Sequence, residues 1–208
     1  MFDFFLRGFT IGLNAGLLPG PIQTYLAQTS LIYGWRRAMI GVVAPLVADI
    51  PVILLSVLVL SNVSDTAIRL LRIGGGLFIL WLAWGSLNSI RAGVLIGEGA
   101  VVDVTLTRWK LFRRMVGVNI FSPAPWLFWS TVNGPLLIEG WRQSPLAGVG
   151  FLLGFYGTLM GVFALIVLAF GWLRGINPKV TRSLMMAATA LLILIGISFI
   201  LQGLGVIQ

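Results

Sequence analysis

Apolar residues fill six long stretches of this chain, and short polar connectors separate the stretches. A helix needs about 20 apolar residues to cross the hydrocarbon core of a bilayer, and each stretch meets that length or comes close to it. We therefore predict an all-α, polytopic membrane protein with six transmembrane helices. The stretches cover about residues 8–33, 38–60, 67–90, 115–137, 146–173 and 183–206.

Two of the stretches are interrupted by prolines. The first stretch contains Leu-Pro-Gly-Pro at residues 18–21, and the fourth contains Ser-Pro-Ala-Pro at residues 122–125. Proline removes a backbone donor and clashes with the preceding turn, and in hydrocarbon the freed carbonyls are tolerated only inside protein or along a cavity. Paired breaks in the two halves of a chain therefore indicate a transporter's substrate site.

The two halves of the chain resemble each other at a fixed offset. Pro19 corresponds to Pro125, and the Gly-Trp-Arg of residues 34–36 corresponds to that of residues 140–142. Three helices per unit is an odd number, so the second unit enters the bilayer from the opposite side. We predict a single transmembrane domain over residues 1–208, built as a 3+3 inverted repeat with broken helices 1 and 4. The first unit covers about residues 1–90, a connecting loop about 91–112, and the second unit about 113–208.

Composition supports the membrane assignment and argues against an enzyme. Of the 208 residues, 58% are apolar and 10% are charged, whereas soluble domains carry about 25% charged residues. Cysteine and histidine are both absent, which removes the thiolate nucleophile, the commonest general base and the commonest metal ligand. We expect no catalytic residue, no cofactor and no metal site.

The basic residues predict the orientation. The connectors after the first, third and fifth stretches carry ten Lys or Arg, and the other side carries four. The positive-inside rule therefore places loops 1–2, 3–4 and 5–6 in the cytoplasm. The net charge of +8 is scattered over loops, so we expect no nucleic-acid partner, which would need a contiguous basic face. The ten are Arg36, Arg37, Arg91, Arg108, Lys110, Arg113, Arg114, Arg174, Lys179 and Arg182, and the four are Arg7, Arg69, Arg72 and Arg142.

Asp49 is the one acidic residue well inside a predicted helix, between Pro45 and Pro51. A carboxylate at this depth is costly and indicates a functional site. Three roles remain open at this point: coupling to a proton, pairing with a cationic substrate, and accepting hydrogen bonds from backbone amides. We favour ion coupling.

Polar side chains cluster around the two breaks. Asparagine and glutamine both donate and accept hydrogen bonds, which suits a zwitterionic or amide-bearing ligand. A half-helix that begins after the first break would also offer backbone amides to an anionic group, and a tryptophan beside the second break is a candidate cation binder. The predicted substrate-binding residues are Asn14, Pro19, Gly20, Pro21, Gln23, Asn119, Ser122, Pro123 and Trp126.

Glycines recur at every fourth position in the first and fifth stretches. The first carries Gly8, Gly12 and Gly16, and the fifth carries one pair at residues 150 and 154 and another at residues 157 and 161. Such spacing lets two helix backbones approach closely, so we expect tight helix packing at these positions.

Several motifs, taken in order and spacing, resemble the LysE/RhtB amino-acid exporter superfamily of small six-helix bacterial membrane proteins. The resemblance covers nearly the whole chain and implies export of amino acids or related metabolites across the bacterial inner membrane, driven by an ion gradient. The segments that carry it are residues 7–12 (RGFTIG), 19–21 (PGP), 34–38 (GWRRA), 74–84 (GGGLFILWLAW) and 119–124 (NIFSPA).

Three positions depart from the pattern of that superfamily. Ala48 stands where the family often has the glycine before the aspartate, Ser122 where it usually has asparagine, and Ala124 where it usually has lysine. If the lysine holds a substrate carboxylate in typical members, this chain must hold the carboxylate differently or move another solute.

We therefore predict a secondary active exporter of amino acids or related small polar metabolites, coupled to a proton gradient through Asp49. Its expected partners are a small polar solute such as an amino acid or derivative, a proton or other cation, and the lipid bilayer. A homodimer is left open. The alternatives are a metal-cation or other ion exporter and a membrane assembly protein without transport.

Replacing Pro19 or Pro123 by alanine tests the paired breaks. Alanine restores a backbone donor and favours the helix, so we expect each variant to straighten its segment and to impair transport. The measurement is solute flux into vesicles under an imposed proton gradient, at equal amounts of inserted protein. Unchanged flux in both variants would show that the breaks do not form the transport site.

Overall fold

The computed structural model describes residues 2–18, 20–58, 65–91, 107–174 and 178–207. Within these ranges all regular structure is helical, which confirms the all-α prediction. A 3-10 turn at Met39–Val43 joins α3 to α4, and a π-helical turn at Trp129–Asn133 joins α7 to α8. The helices are α1 (Phe2–Leu17), α2 (Pro21–Tyr33), α3 (Trp35–Ala38), α4 (Ala44–Leu58), α5 (Asp65–Arg91), α6 (Arg108–Ile120), α7 (Pro123–Phe128), α8 (Gly134–Gln143), α9 (Pro145–Leu173) and α10 (Pro178–Gly203).

The helical segment around the second break is longer than the apolar stretch predicts. α6 begins at Arg108, so residues 108–112 of the predicted connecting loop are helical. Thr107 caps this helix, because its hydroxyl accepts a hydrogen bond from the Lys110 amide at 3.4 Å, which is the usual chemistry of a helix start. Hydropathy misses this turn because its first residues are charged. The part of the predicted loop at residues 92–106 lies outside the described residues.

Three helical segments of the described chain are each long and apolar enough to cross a bilayer: Trp35–Leu55, Pro145–Leu173 and Arg182–Gly203. α1 and α2 have 16 and 13 residues, because the first break divides one apolar stretch into two helices. Large aliphatic side chains such as Leu153, Leu165 and Leu194 are more than half exposed on the outer surface. Such a surface suits lipid rather than water.

α1 packs closely along α9. Gly8, Gly12 and Gly16 are buried on one face of α1, and a methyl group on Gly8 or Gly12 would collide with the backbone carbonyl of Phe151 or Phe155. Glycine is required here because the two backbones touch, as in other closely crossing membrane helices. The predicted packing role of these α1 glycines is confirmed.

The second glycine pair of α9 does not pack in this way. A methyl group on Gly157 or Gly161 would meet no atom within 4 Å, so the packing prediction is wrong for this pair. α1 crosses α9 along the row formed by Phe151, Phe155 and Val162, and this path leaves Gly157 and Gly161 to one side.

The two Gly-Trp-Arg segments share a sequence but not a local structure. Gly34 separates α2 from α3 with a φ of +83°, a conformation that glycine adopts without strain. Gly140 is instead buried within α8, against Phe4. The repeat signal in the sequence therefore corresponds to a corner in the first half and to a helix interior in the second.

A single added methyl group tests the contact between α1 and α9. Gly12→Ala would force the helices apart, and overpacking of this kind costs about 1–3 kcal/mol. Gly161→Ala is the matched control, since its methyl group has open space and alanine favours a helix by about 1 kcal/mol over glycine. Thermal unfolding of the purified protein in detergent should therefore show a lower Tm for Gly12→Ala alone. Equal Tm values would contradict the close contact.

Candidate functional site

Asp49 is buried in α4, with 3% of its surface exposed, and its carboxyl group accepts three hydrogen bonds. Oδ1 accepts from Nδ2 of Asn119 at 2.8 Å. Oδ2 accepts from Nε1 of Trp129 at 3.1 Å and from the hydroxyl of Tyr156 at 3.0 Å. The donors come from α6, the π-helical turn and α9, so this one side chain connects four segments of the chain.

The three donors to Asp49 differ in how they can respond when the carboxyl group gains or loses a proton. An amide N–H and an indole N–H can only donate, whereas a tyrosine hydroxyl can donate or accept. A protonated Oδ2 could therefore donate to the oxygen of Tyr156, after rotation of that hydroxyl, while the other two hydrogen bonds stay in place. The arrangement can accommodate both the charged and the neutral form of the carboxyl group.

Ionic partners of Asp49 are missing from the described part of the chain. The ion pairs found there join Arg7 to Asp3 at 3.0 Å and to Glu139 at 3.5 Å, on the exposed surface. The same residues contain no group of three or more acidic side chains that could hold a metal ion. Neutral hydrogen bonds are thus what the described protein offers to this buried carboxyl group.

At the first helix break a side chain caps a backbone carbonyl that would otherwise have no partner. In a continuous helix the carbonyl of Ala15 would accept from the amide of residue 19, but that residue is proline and has no N–H. The side-chain Nε2 of Gln23 donates to this carbonyl instead, at 2.9 Å. Gln23 is therefore a cap of the broken helix as well as a neighbour of the cavity described below.

At the second break a side chain also donates to a backbone carbonyl that the break leaves without a partner. α6 ends at Ile120 and α7 begins at Pro123, where a proline is acceptable because the first amides of a helix have no internal partner. The carbonyl of Ile120 is left free by the break and accepts from Nε1 of Trp126 at 2.8 Å.

A cavity of about 420 Å³ lies between the two breaks. Gly20 and Pro21 border it from the first break, Ser122 and Pro125 border it from the second, and Asp49 lies in its wall. Ligand sites for small molecules usually have volumes of about 300–1,000 Å³. The structure thus brings both breaks and the buried carboxyl group to one cavity; that the cavity binds a solute stays a prediction.

The rest of the cavity wall is mainly apolar and rich in aromatic rings. No lysine or arginine is among the described residues that border it. The wall therefore combines one carboxyl group, a few neutral polar groups and a large aromatic surface. The aromatic residues are Phe128, Trp129, Phe155, Phe163 and Phe199.

Asn133 borders the same cavity with a polar side chain that has no partner. It is 0% exposed, and neither its Oδ1 nor its Nδ2 has a hydrogen-bond partner within the described structure. Leaving a buried polar atom without a hydrogen bond costs about 1–3 kcal/mol. The residue ends the π-helical turn, and turns of this kind occur frequently at functional sites.

Five of the predicted binding residues border the cavity: Gly20, Pro21, Gln23, Asn119 and Ser122. Two of these have structural bonds as well, since Gln23 caps α1 and Asn119 donates to Asp49. Pro19 lies outside the described residues, and of Pro123 only the backbone is described, at the start of α7.

The described cavity wall includes neither Asn14 nor Trp126, so the structure gives no support to these two predicted binding residues. Asn14 is exposed, because it lies two positions from both Gly12 and Gly16 and thus on the opposite face of α1. Trp126 is partly buried against the core, and its one side-chain N–H donates to the carbonyl of Ile120.

Sequence reasoning missed Trp129, Asn133 and Tyr156 as members of the site. Asn133 is one of the polar residues that flank the second break in the sequence, but nothing in the sequence distinguished it from its neighbours as a ligand. Tyr156 is one of two hydroxyl side chains in a long apolar helix, the other being Thr158. Its direction toward Asp49 depends on how α9 packs, which periodicity alone does not reveal.

A comparison with known families gives one match. The family model described as LysE type translocator matches residues 13–203, a range that includes both breaks, Asp49 and all described residues of the cavity wall. No match was found among curated proteins or among solved structures.

The bond from Tyr156 to Asp49 can be measured by a double-mutant cycle. A hydrogen bond contributes about 0.5–1.5 kcal/mol between neutral groups and about 1.5–3 kcal/mol when one group is charged, so Tyr156→Phe should lower the free energy of unfolding by about 0.5–3 kcal/mol. In the Asp49→Asn background the loss should be much smaller. Thr158→Val is the control on the same helix, because that hydroxyl donates to the carbonyl of Gly154. If Tyr156→Phe and Asp49→Asn are additive, the bond makes no energetic contribution.

Proposed function

Since the chain belongs to the LysE type translocator family, whose members are membrane translocators, we propose that it exports amino acids or related small polar metabolites from the bacterial cytoplasm. The export is secondary active transport across the inner membrane, driven by a proton gradient through Asp49. One observation carries the proposal: a cavity of ligand size is bordered by both helix breaks and by a buried carboxyl group. Interrupted helices near the midplane are where such transporters hold their solutes.

The architecture that we propose is one transmembrane domain with six spans, arranged as a 3+3 inverted repeat. The helix contacts support it. α1 of the first span packs on α9 of the fifth, and correspondingly α6 of the fourth span packs on α4 of the second. α5 of the third span packs on α10 of the sixth. These two spans correspond to each other in the two halves, so exchanging the halves leaves this pair unchanged.

Asp49 is the proposed coupling site because it has the chemistry that a proton carrier needs. Its carboxyl group is buried and borders the cavity, and ionisable groups at such positions often form proton relays in transporters. Tyr156 can change from donor to acceptor, so Asp49 can be protonated and deprotonated reversibly without loss of packing.

The orientation follows from the basic loops, with loops 1–2, 3–4 and 5–6 on the cytoplasmic side. The solute binds between the two breaks, where Gly20 and Ser122 border the cavity from opposite sides. A homodimer remains compatible with this arrangement.

Proton-driven flux tests the role of Asp49. Proteoliposomes containing the purified protein are loaded with a panel of amino acids and amino-acid derivatives, and efflux is followed under an imposed pH gradient. Asp49→Asn keeps the size of the side chain and removes its titration, so we expect gradient-driven flux to fall to that of empty liposomes.

Glu139→Gln is the matched control for that experiment. Glu139 is an exposed acid at 3.5 Å from Arg7, so its replacement should leave flux unchanged. Wild-type flux in the Asp49→Asn variant would disprove the coupling role, and absence of flux for every solute of the panel would disprove the exporter function.

A further inference from the structure

The charge of the cavity wall points to a particular kind of solute. Asp49 is the charged side chain that borders the cavity, and no lysine or arginine is among its described neighbours there. An ammonium group supplies the counter-charge that a buried carboxylate lacks. A solute carboxylate would be repelled by Asp49 and would meet no basic side chain in this part of the wall.

The start of α2 does not replace the missing basic residue. Its first position is Pro21, which has no N–H. The amide of Thr24 is also used, since it donates to the carbonyl of Gly20 at 3.0 Å. This helix end therefore has fewer free amides for a carboxylate than a helix start usually has.

The aromatic surface of the cavity adds two further constraints. Rings from α7, the π-helical turn, α9 and α10 border it, with Phe128, Phe155 and Phe199 among them. Such a surface buries an apolar body, and the faces of aromatic rings attract organic cations. A bulky apolar amine meets both conditions.

Asn133 supplies the remaining feature. It is fully buried beside the cavity, and neither its carbonyl oxygen nor its amide nitrogen has a partner in the described structure. An amide that lacks both kinds of partner is suited to a neutral solute group that donates and accepts, such as a hydroxyl or a carboxamide.

We propose that the cavity selects an organic ammonium with an aromatic or similarly bulky apolar body, and with a neutral hydrogen-bonding group in place of a free carboxylate. Asp49 binds the ammonium, and Asn133 binds the neutral group. The inference rests on the proposed function in that it assigns a solute class to the same cavity. Amino alcohols and amino-acid amides, which are among the related metabolites of the proposed function, belong to this class, and free amino acids bind more weakly.

A consequence is that the solute and the proton compete for one carboxyl group. Tyr156 is the titratable group in contact with Asp49, while Asn119 and Trp129 are neutral donors. The described cavity wall contributes no other charge. Binding of an amine therefore requires the deprotonated form of Asp49.

Four matched compounds test the solute class by isothermal titration calorimetry on the full-length protein in detergent. L-phenylalaninol has the ammonium, the ring and a hydroxyl. 2-Phenylethylamine lacks the hydroxyl, 3-phenyl-1-propanol lacks the amine, and L-phenylalanine has a carboxylate in place of the alcohol. We expect L-phenylalaninol to bind at least about tenfold more tightly than L-phenylalanine or 3-phenyl-1-propanol, as the loss of one charged contact implies. L-phenylalanine binding as tightly as L-phenylalaninol would overturn the proposal, and so would absence of binding of both amines to monodisperse wild-type protein.

Variants separate the two contacts. Asn133→Leu should weaken L-phenylalaninol by about fivefold to tenfold, in line with one lost hydrogen bond, and leave 2-phenylethylamine unchanged. Asp49→Asn should weaken both amines and leave 3-phenyl-1-propanol unchanged. Thr131 lies on the exposed side of the same turn, so Thr131→Val should change none of these affinities. An equal effect of Asn133→Leu on both amines would overturn the role of Asn133.

The stability of the Asn133 variants distinguishes binding from a structural role. Because the side chain has no partner in the described structure, Asn133→Leu should keep or raise the Tm of the ligand-free protein. A large fall in Tm would indicate a structural role and count against the proposal. Asn133→Ala, which is smaller, provides the same binding comparison if the leucine variant does not fold.

The binding experiment needs no gradient, so its failure can be told apart from failure of the exporter function. Binding of L-phenylalaninol without gradient-driven flux would keep the proposed solute class and remove proton-driven export. Gradient-driven flux of free amino acids without binding of either amine would keep the exporter and overturn the solute class.

Discussion

The hydrogen bonds of Asp49 are the contacts on which the geometry of the cavity depends. One carboxyl group accepts from Asn119, Trp129 and Tyr156, and these donors lie on three different segments. A buried carboxyl group without such donors would be very costly in an apolar interior. The same requirement brings α4, α6, the π-helical turn and α9 together around the space between the two breaks.

The breaks are stable because side chains replace the hydrogen bonds that proline removes. Gln23 reaches back to the carbonyl of Ala15, and Trp126 reaches back to the carbonyl of Ile120. In hydrocarbon a carbonyl without a partner costs several kcal/mol, so these caps let the chain change direction at depth. They also show that polar residues near a break need not bind a solute, because Nε1 of Trp126 and Nε2 of Gln23 donate to backbone carbonyls.

The sequence was sufficient for the all-α fold and for the positions of both breaks, because proline is costly inside an apolar stretch. The structure brings the breaks, Asp49 and Asn119 to one cavity, and their roles in transport stay predictions. Sequence reasoning did not connect Trp129 or Tyr156 with Asp49, and the described cavity wall lacks two of the predicted binding residues, Asn14 and Trp126. Which face a residue occupies beyond a break depends on the turn that the break introduces, and the π-helical turn at Trp129–Asn133 shifts the register of the residues after it. Periodicity within a regular helix cannot predict such a shift.

The glycine-lined contact between α1 and α9 also limits how the molecule can move. α1 belongs to the first half of the sequence and α9 to the second, yet their backbones touch along Gly8 and Gly12. Helices in such close contact cannot slide past each other without losing many van der Waals contacts at once. The contact therefore joins the two sequence halves at the level of the backbone. In the proposed transport cycle α1 and α9 would move as one body.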